Sequence, residues 1–322
     1  MSYREPDSIT LADVKEARER IAGSVMRTPT IRLDTDGTGE VYLKLENLQP
    51  IRSFKLRGAG NAMAMLNAAE LRHGVYTASA GNMAQGVAWN ARRMNISCTV
   101  VVPAGAPQTK LDAIQRLGAE FVAVPYEEWW DVLVTRHYAP LEPARFIHPV
   151  ADVAVMAGNG TIGLEILEDL PDVDAVLVPF GGGGLSCGIA AAVRGIRPEV
   201  RVYACEVETA APLSAALAAG GPTEISRTPS FVDGIGGPAI LPEMWPPASR
   251  LLASSLVVSL AEVAAAIRLM AMRASIVAEG AAGAAVAAAL KRSGAGGRQV
   301  CVVSGGNIGP GTLAEILAGR TP

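Results

Sequence analysis

At 322 residues, half of them hydrophobic, the chain is long enough for one large domain or two intertwined lobes around a sizeable core. A net charge of −3, a pI near 5.8 and no lysine- or arginine-rich run argue against nucleic acid or an anionic membrane as the main partner. The charged N-terminus lacks the apolar core of a signal peptide. Glu262, Arg268, Arg273 and Glu279 break the most apolar region, 251–290, so no window of about twenty apolar residues can span a bilayer, and the cytoplasm is the expected compartment.

In chain order, Thr10 followed by Asp13 predicts an N-cap and a helix from Leu11 to about Ala22. Strand-like runs rich in β-branched and aliphatic residues follow at Val41–Leu45, Val75–Ala78, Cys98–Val102, Phe121–Val124, Ala175–Pro179, Val200–Ala204 and Gln299–Val303. Helix-length stretches lie between several of them: Gly58–His73, Met83–Met94, Lys110–Leu117 and Leu185–Arg194. That alternation, with near-continuous apolar strands, predicts an α/β protein with parallel sheets covered on both faces. The aromatic, proline-punctuated region 125–150 reads as a crossover between lobes. Ala/Gly/Ser crowding at 205–227 and 277–297 reads as close-packed helices, and SFVDGIGGPAI (230–240) as a loop facing a cleft. Cys98, Cys187, Cys205 and Cys301 are widely spaced within apolar runs and read as buried thiols, without metal-ligand spacing.

Ligands of open parallel sheets bind beyond the carboxyl ends of strands, where loop and helix amides are free. Three junctions qualify. PFGGGGLS (179–186) follows a strand and precedes a helix, and its four glycines suit a tetrahedral phosphate. It lacks the Gly-Lys-Ser/Thr end of a nucleotide-binding P-loop, and Ser186 stands where a dinucleotide fingerprint needs its last glycine. A phosphorylated cofactor is the better fit. In ENLQPIRSFKLRG (46–58), Ser53 is a candidate cap and Lys55 falls in the first helical turn, where the helix dipole lowers the pKa of an amine and favours a nucleophile. A surface lysine at a helix start is the plain alternative; the tetraglycine loop adds weight to Lys55, because pyridoxal phosphate needs both a lysine and a phosphate cradle. In VVSGGNIGP (302–310), Ser304 ends a strand as glycines begin, so its hydroxyl would meet a ligand lying over the sheet.

Taken together, LKLENLQPIRSFKLRGA (43–59), TASAGNMAQGVA (77–88), VPFGGGGLSCGIA (178–190), ACE (204–206), DGIGG (233–237), AEGAAG (278–283) and VVSGGNI (302–308) resemble the fold type II pyridoxal-phosphate enzymes. The resemblance is closest to the threonine/serine dehydratase and serine racemase group and runs over nearly the whole chain. It implies a two-lobed open parallel-sheet fold, with a large cofactor-binding domain (1–68 plus 149–322) and a small mobile domain (69–148). Because the chain stops soon after VSGGNI, it also implies a catalytic unit without the C-terminal regulatory domain. Lys55 would be the Schiff-base lysine, Phe54 would pack on the cofactor ring, and Gly181, Gly182, Gly183, Gly184 and Leu185 would hold its phosphate. Asn82 would bond the ring's phenolic oxygen and Ser304 its pyridine nitrogen, with Gly234 and Glu279 lining the pocket. Ser79, Ala80, Gly81, Asn82 and Met83 would take the substrate carboxylate.

The implied reaction is β-elimination from a β-hydroxy amino acid, releasing an α-keto acid and ammonia, in a homodimer. A racemase or β-replacing synthase is the alternative, and a non-catalytic binding protein would leave Lys55 idle. Two departures from the group's pattern matter. Ala80 stands where the racemase branch has a serine. Met83 stands where the dehydratases carry histidine, so it either fills space or reshapes the substrate side. Glu206 matches one metal ligand of some relatives, but Ala211 and Pro212 occupy the region of the second, so Glu206 is only a weak metal candidate.

Overall fold

The computed structural model describes residues 4–36, 39–292 and 296–322. Among these residues, ten strands form two sheets: β1 (Thr30–Leu33), β2 (Glu40–Lys44), β3 (Val75–Ala78), β4 (Cys98–Pro103), β5 (Glu120–Val124), β6 (Arg145–Phe146), β7 (Ala175–Pro179), β8 (Arg201–Val207), β9 (Ser254–Val258) and β10 (Arg298–Val302). The larger sheet runs β1-β2-β10-β7-β8-β9 and the smaller β5-β4-β3-β6. Every pairing is parallel except β1 with β2. Strands β3 and β7 are buried at every position, as the continuous apolar runs require of strands covered on both faces.

Most predicted elements stand within one to three residues of their expected ends. The first helix spans Leu11–Ile21, and Thr10 and Asp13 close a reciprocal capping box at its start. Four expectations need correction. The stretch 58–73 is two helices, Lys55–Ala64 and Ala68–Leu71, because Asn67 caps the second with Glu70. Region 125–150 is part of the small-sheet half, where helix Tyr126–Thr135 covers one face and β6 adds an edge strand. Only Pro212–Ala219 is helical within 205–227, after β8 ends at Val207. In 277–297 the helix is Gly280–Lys291, while 293–295 lie outside the described residues. Strands β1, β6 and β9 were not expected: β6 has two residues, and the other two lie at sheet edges with few fully buried positions.

A buried ion cluster ties the N-terminal segment to the helix that begins at Lys55. Arg57 donates to both carboxylate oxygens of Glu46 at 2.8 Å, and to those of Glu165 at 2.6 and 3.0 Å. Lys44 lies 2.8 Å from Glu165 and donates to the Thr28 carbonyl at 2.6 Å, and the Thr28 hydroxyl donates to Glu46. Lys44, Glu46 and Arg57 are at most 1% exposed. Every charge in the cluster is paired, as burial demands. Cys98, Cys187, Cys205 and Cys301 are all buried and unpaired. Among the described residues, no helix is long and apolar enough to cross a membrane.

Candidate active site

Strand order reverses at two places, between β7 and β10 in the large sheet and between β3 and β6 in the small one. Both switch points open onto one cleft of about 340 Å³. Gly181–Gly184 follow β7, Ser304 follows β10, Ser79–Met83 follow β3, and Pro149 and Val150 follow β6; all of them line the cleft. Phe54 and Lys55, from the segment after β2, complete the wall.

Lys55 is the first residue of helix Lys55–Ala64. The capping is looser than expected: Phe54 occupies the cap position, while the Ser53 hydroxyl accepts the Lys55 N–H at 3.4 Å. The ammonium nitrogen donates to the Pro149 carbonyl at 2.6 Å and stands 5.3 Å above the Phe54 ring. Burial pulls the Lys55 amine down to about 8, against the opposing pull of Glu279. His148 shapes the Pro149 turn, its Nδ1 accepting the N–H groups of Val150 and Ala151 at 3.0 and 2.7 Å. Burial, with Arg136 and Lys55 nearby, holds that imidazole well below its ordinary pKa, in the neutral state those bonds require.

The loop after β3 enters helix Asn82–Met94 through Gly81, and the Ser79 hydroxyl accepts the Gly81 N–H at 3.1 Å. Ser79 therefore keeps its own proton to donate. The Asn82 amide donates to both oxygens of Glu279 at 3.1 Å and accepts from Asn307 at 2.8 Å. Burial pushes the Glu279 carboxyl up to about 7, offset in part by the Asn82 bond. Gly86 lets this helix touch the lysine helix: a Cβ there would stand 2.9 Å from the Lys55 carbonyl. Met83 is 1% exposed and packs in the small-sheet core, while also bordering the cleft.

In the tetraglycine turn, Gly183 holds φ at +92°, a conformation that favours glycine, and caps helix Gly184–Ile196. Leu185 begins that helix beside the cleft. Ser304 is 2% exposed and its hydroxyl has no hydrogen-bond partner in the protein. A buried hydroxyl at the end of a central strand is normally hydrogen-bonded, and a ligand acceptor or donor would satisfy this one. A glycine turn leading into a helix N-terminus, a depressed lysine and this orphaned hydroxyl form a donor set that fits pyridoxal phosphate.

Every residue singled out for cofactor or substrate reaches this cleft, including Gly234, Ala80 and Glu279. Glu206 does not. Its carboxylate, at the end of β8, accepts the N–H groups of Leu213 and Ser214 at 2.8 Å and the Ser255 hydroxyl at 2.5 Å, so it caps helix Pro212–Ala219. No group of three or more His, Cys, Asp or Glu among the described residues is placed to hold a metal ion. Sequence reasoning missed Lys110, Trp129, Pro149 and Val150. They sit on elements whose patterns signal only helix or crossover, and no local motif marks them. Asp233 and Ile235 were within the loop expected to face a cleft, and they do.

The profile of the family described as "Pyridoxal-phosphate dependent enzyme" matches residues 21–305. An L-threonine ammonia-lyase of Thermotoga maritima is 38% identical over 316 residues, 96% of this chain and 78% of that protein. The catabolic L-threonine dehydratase TdcB of Escherichia coli K12 is 37% identical, covering 96% of both chains. Among solved structures, maize serine racemase superimposes with a TM-score of 0.87 at 29% identity, covering 97% of each chain.

Proposed function

The chain belongs to the pyridoxal-phosphate-dependent enzyme family and, within it, to the threonine ammonia-lyase group, and we propose that its cleft eliminates water from a β-hydroxy amino acid such as threonine or serine, yielding an α-keto acid and ammonia. The observation that carries this reading is Lys55: an amine pulled down to about 8, at a helix start, in a cleft that also holds the glycine turn and the unpartnered Ser304 hydroxyl.

Pyridoxal phosphate, when bound, supplies a carbonyl for the substrate amine and an electron sink for the charge left at Cα. Gly181–Gly184 and the N–H groups at the start of the following helix hold the phosphate. Ser304 would hold the ring nitrogen through its uncharged hydroxyl, which has no partner in the protein. Phe54 packs beside the ring. Asn82 would hold the ring oxygen through its amide, the donor that Glu279 accepts from here. The Ser79 hydroxyl and the amides of residues 80–83 grip the substrate carboxylate.

Lys55 Nζ takes the Cα proton. A desolvated amine with a pKa near 8 is partly neutral at physiological pH, which a general base requires. The Pro149 carbonyl keeps the nitrogen aimed into the cleft between proton transfers. Ala80 offers no hydroxyl to return a proton to the opposite face of Cα, which favours lyase over racemase chemistry. The 69–148 unit closes over the substrate and excludes water. A cytoplasmic homodimer completes the proposal, in keeping with the resemblance.

The test is a holoenzyme assay of ammonia and keto-acid release across β-hydroxy amino acids. Lys55→Ala is expected to lose the absorbance of lysine-bound cofactor and about 10³-fold or more in rate. Silence of the wild-type enzyme across the panel, or an active Lys55→Ala variant, overturns the reading.

A further inference from the structure

The side chain that arranges the lysine end of the cleft lies behind its wall. His148 is 1% exposed and borders a second cavity, of about 550 Å³, together with Phe146 and Ile147. Pro149 and Val150, the next two residues, face the catalytic cleft instead. One short segment therefore separates the two spaces, with the imidazole on the far side of it.

The turn that follows His148 is held from two sides. The imidazole Nδ1 accepts the Val150 and Ala151 N–H groups, and Arg136 Nη2 donates to the Ala151 carbonyl at 2.5 Å. The same turn reaches both ends of the site. Pro149 presents its carbonyl to Lys55 Nζ at 2.6 Å. Val150 lies against the glycine turn: a Cβ on Gly184 would stand 2.7 Å from the Val150 carbonyl, and one on Gly182 2.6 Å from the Val150 side chain. Packing this close transmits displacement, so a shift of the turn moves the lysine's acceptor and the seat of Gly182–Gly184 together. Only a neutral imidazole with its proton on Nε2 can accept both N–H groups. The charged groups facing it, Arg136 and Lys55, are both cationic and oppose a second proton, while the Leu133 carbonyl favours one.

Resting on the elimination reading above, we infer that His148 is a positioning residue for the reaction. It holds the 148–151 turn, and that turn aims the Lys55 amine at Cα and seats the glycine loop that takes the phosphate. Without an acceptor at Nδ1, two N–H groups lose their partner, the Pro149 carbonyl moves off the lysine, and removal of the Cα proton slows.

Three variants separate positioning from packing. An asparagine amide oxygen reaches about where Nδ1 stands, a glutamine amide extends toward Nε2, and a leucine offers no acceptor. With holoenzyme and L-threonine, His148→Asn is expected to keep kcat within about threefold of wild type. His148→Gln and His148→Leu are each expected to lose about tenfold or more in kcat with KM little changed, because the imidazole does not line the substrate cleft. The isotope effect from Cα-deuterated threonine is expected to rise in those two variants, since proton removal by Lys55 becomes slower. A second readout needs no turnover: each cofactor-free protein is titrated with pyridoxal phosphate, following the absorbance of the lysine-bound form. The glutamine and leucine variants are expected to bind it about tenfold more weakly, and His148→Asn as wild type does.

Equal kcat and cofactor affinity in all four proteins overturns the inference, and so does an asparagine variant as impaired as the glutamine one. A loss confined to melting temperature, with kcat and isotope effect unchanged, makes His148 a packing residue and overturns it too. If the leucine variant does not fold, the asparagine–glutamine comparison decides by itself. If wild type releases ammonia from no hydroxy amino acid, the elimination reading fails, while the cofactor titration still tests His148.

Discussion

Two polar clusters lie at opposite ends of the same short segment, and they are satisfied to very different degrees. Around Arg57, both carboxylates, both cations and the Thr28 hydroxyl have protein partners at hydrogen-bonding distance. Around Lys55, two residues away, the Ser304 hydroxyl and the Trp129 N–H have none, the lysine is desolvated beside a single carbonyl, and Glu279 is pushed up to about 7. Both are removed from water, so desolvation does not separate them. The difference lies in the partners: the first cluster closes on itself, and the second leaves polar atoms unpartnered at a cleft.

The contrast breaks most sharply at Arg57. Arg57→Met leaves Glu46 and Glu165 buried without their shared cation, an expected loss of about 3–5 kcal/mol in a denaturant titration. A loss under about 1 kcal/mol would show that the cluster is not a structural lock. Lys55→Met has the opposite sign. A lysine held near 8 in the fold and near 10.5 when unfolded makes the folded state bind fewer protons, so its penalty is complete below about pH 8 and fades as pH rises toward 10.5. With the cofactor stripped from both, Lys55→Met is expected to be more stable than wild type by about 1–3 kcal/mol at pH 7, with the gap closing above pH 8. A gap that ignores pH would show that the amine is not desolvated. The smallest effect on stability is at Ser304. Ser304→Ala removes an unpartnered hydroxyl and is expected to leave the melting temperature unchanged, yet to lower kcat/KM about tenfold, the worth of one hydrogen bond. A drop in stability would mean that the hydroxyl already has a structural role.

Much of the site was legible one junction at a time. A lysine two residues after a serine at a helix start, four glycines after an apolar strand, and a serine at a strand end are local patterns whose chemistry follows from backbone geometry, and all three reach one cleft. Trp129 was not legible, because its pattern in YEEWWDVL is that of an amphipathic helix. Its place beside the cleft exists only where that helix packs on β3 and β4. Glu206, only a weak metal candidate from the sequence, shows the converse. Its carboxylate is taken up by amides seven and eight residues on and by a serine from the neighbouring strand, a use that no local pattern announces.

The amino-acid sequence by itself determined the alternation of buried strands and helices and the identity of Lys55, the glycine turn and Ser304, because those depend on residue type and spacing along one segment. It also set the absence of a hydroxyl at Ala80. The tertiary structure decided which carboxyl ends face each other, since strand order in each sheet places its switch point at the cleft. It decided which buried polar groups are left unpartnered, and it brought Lys110 to Asp233 across 123 positions of chain. Those contacts join segments that carry no sequence signal for one another. The physical reason is that desolvation and pairing are properties of the assembled interior, and they set the pKa of Lys55.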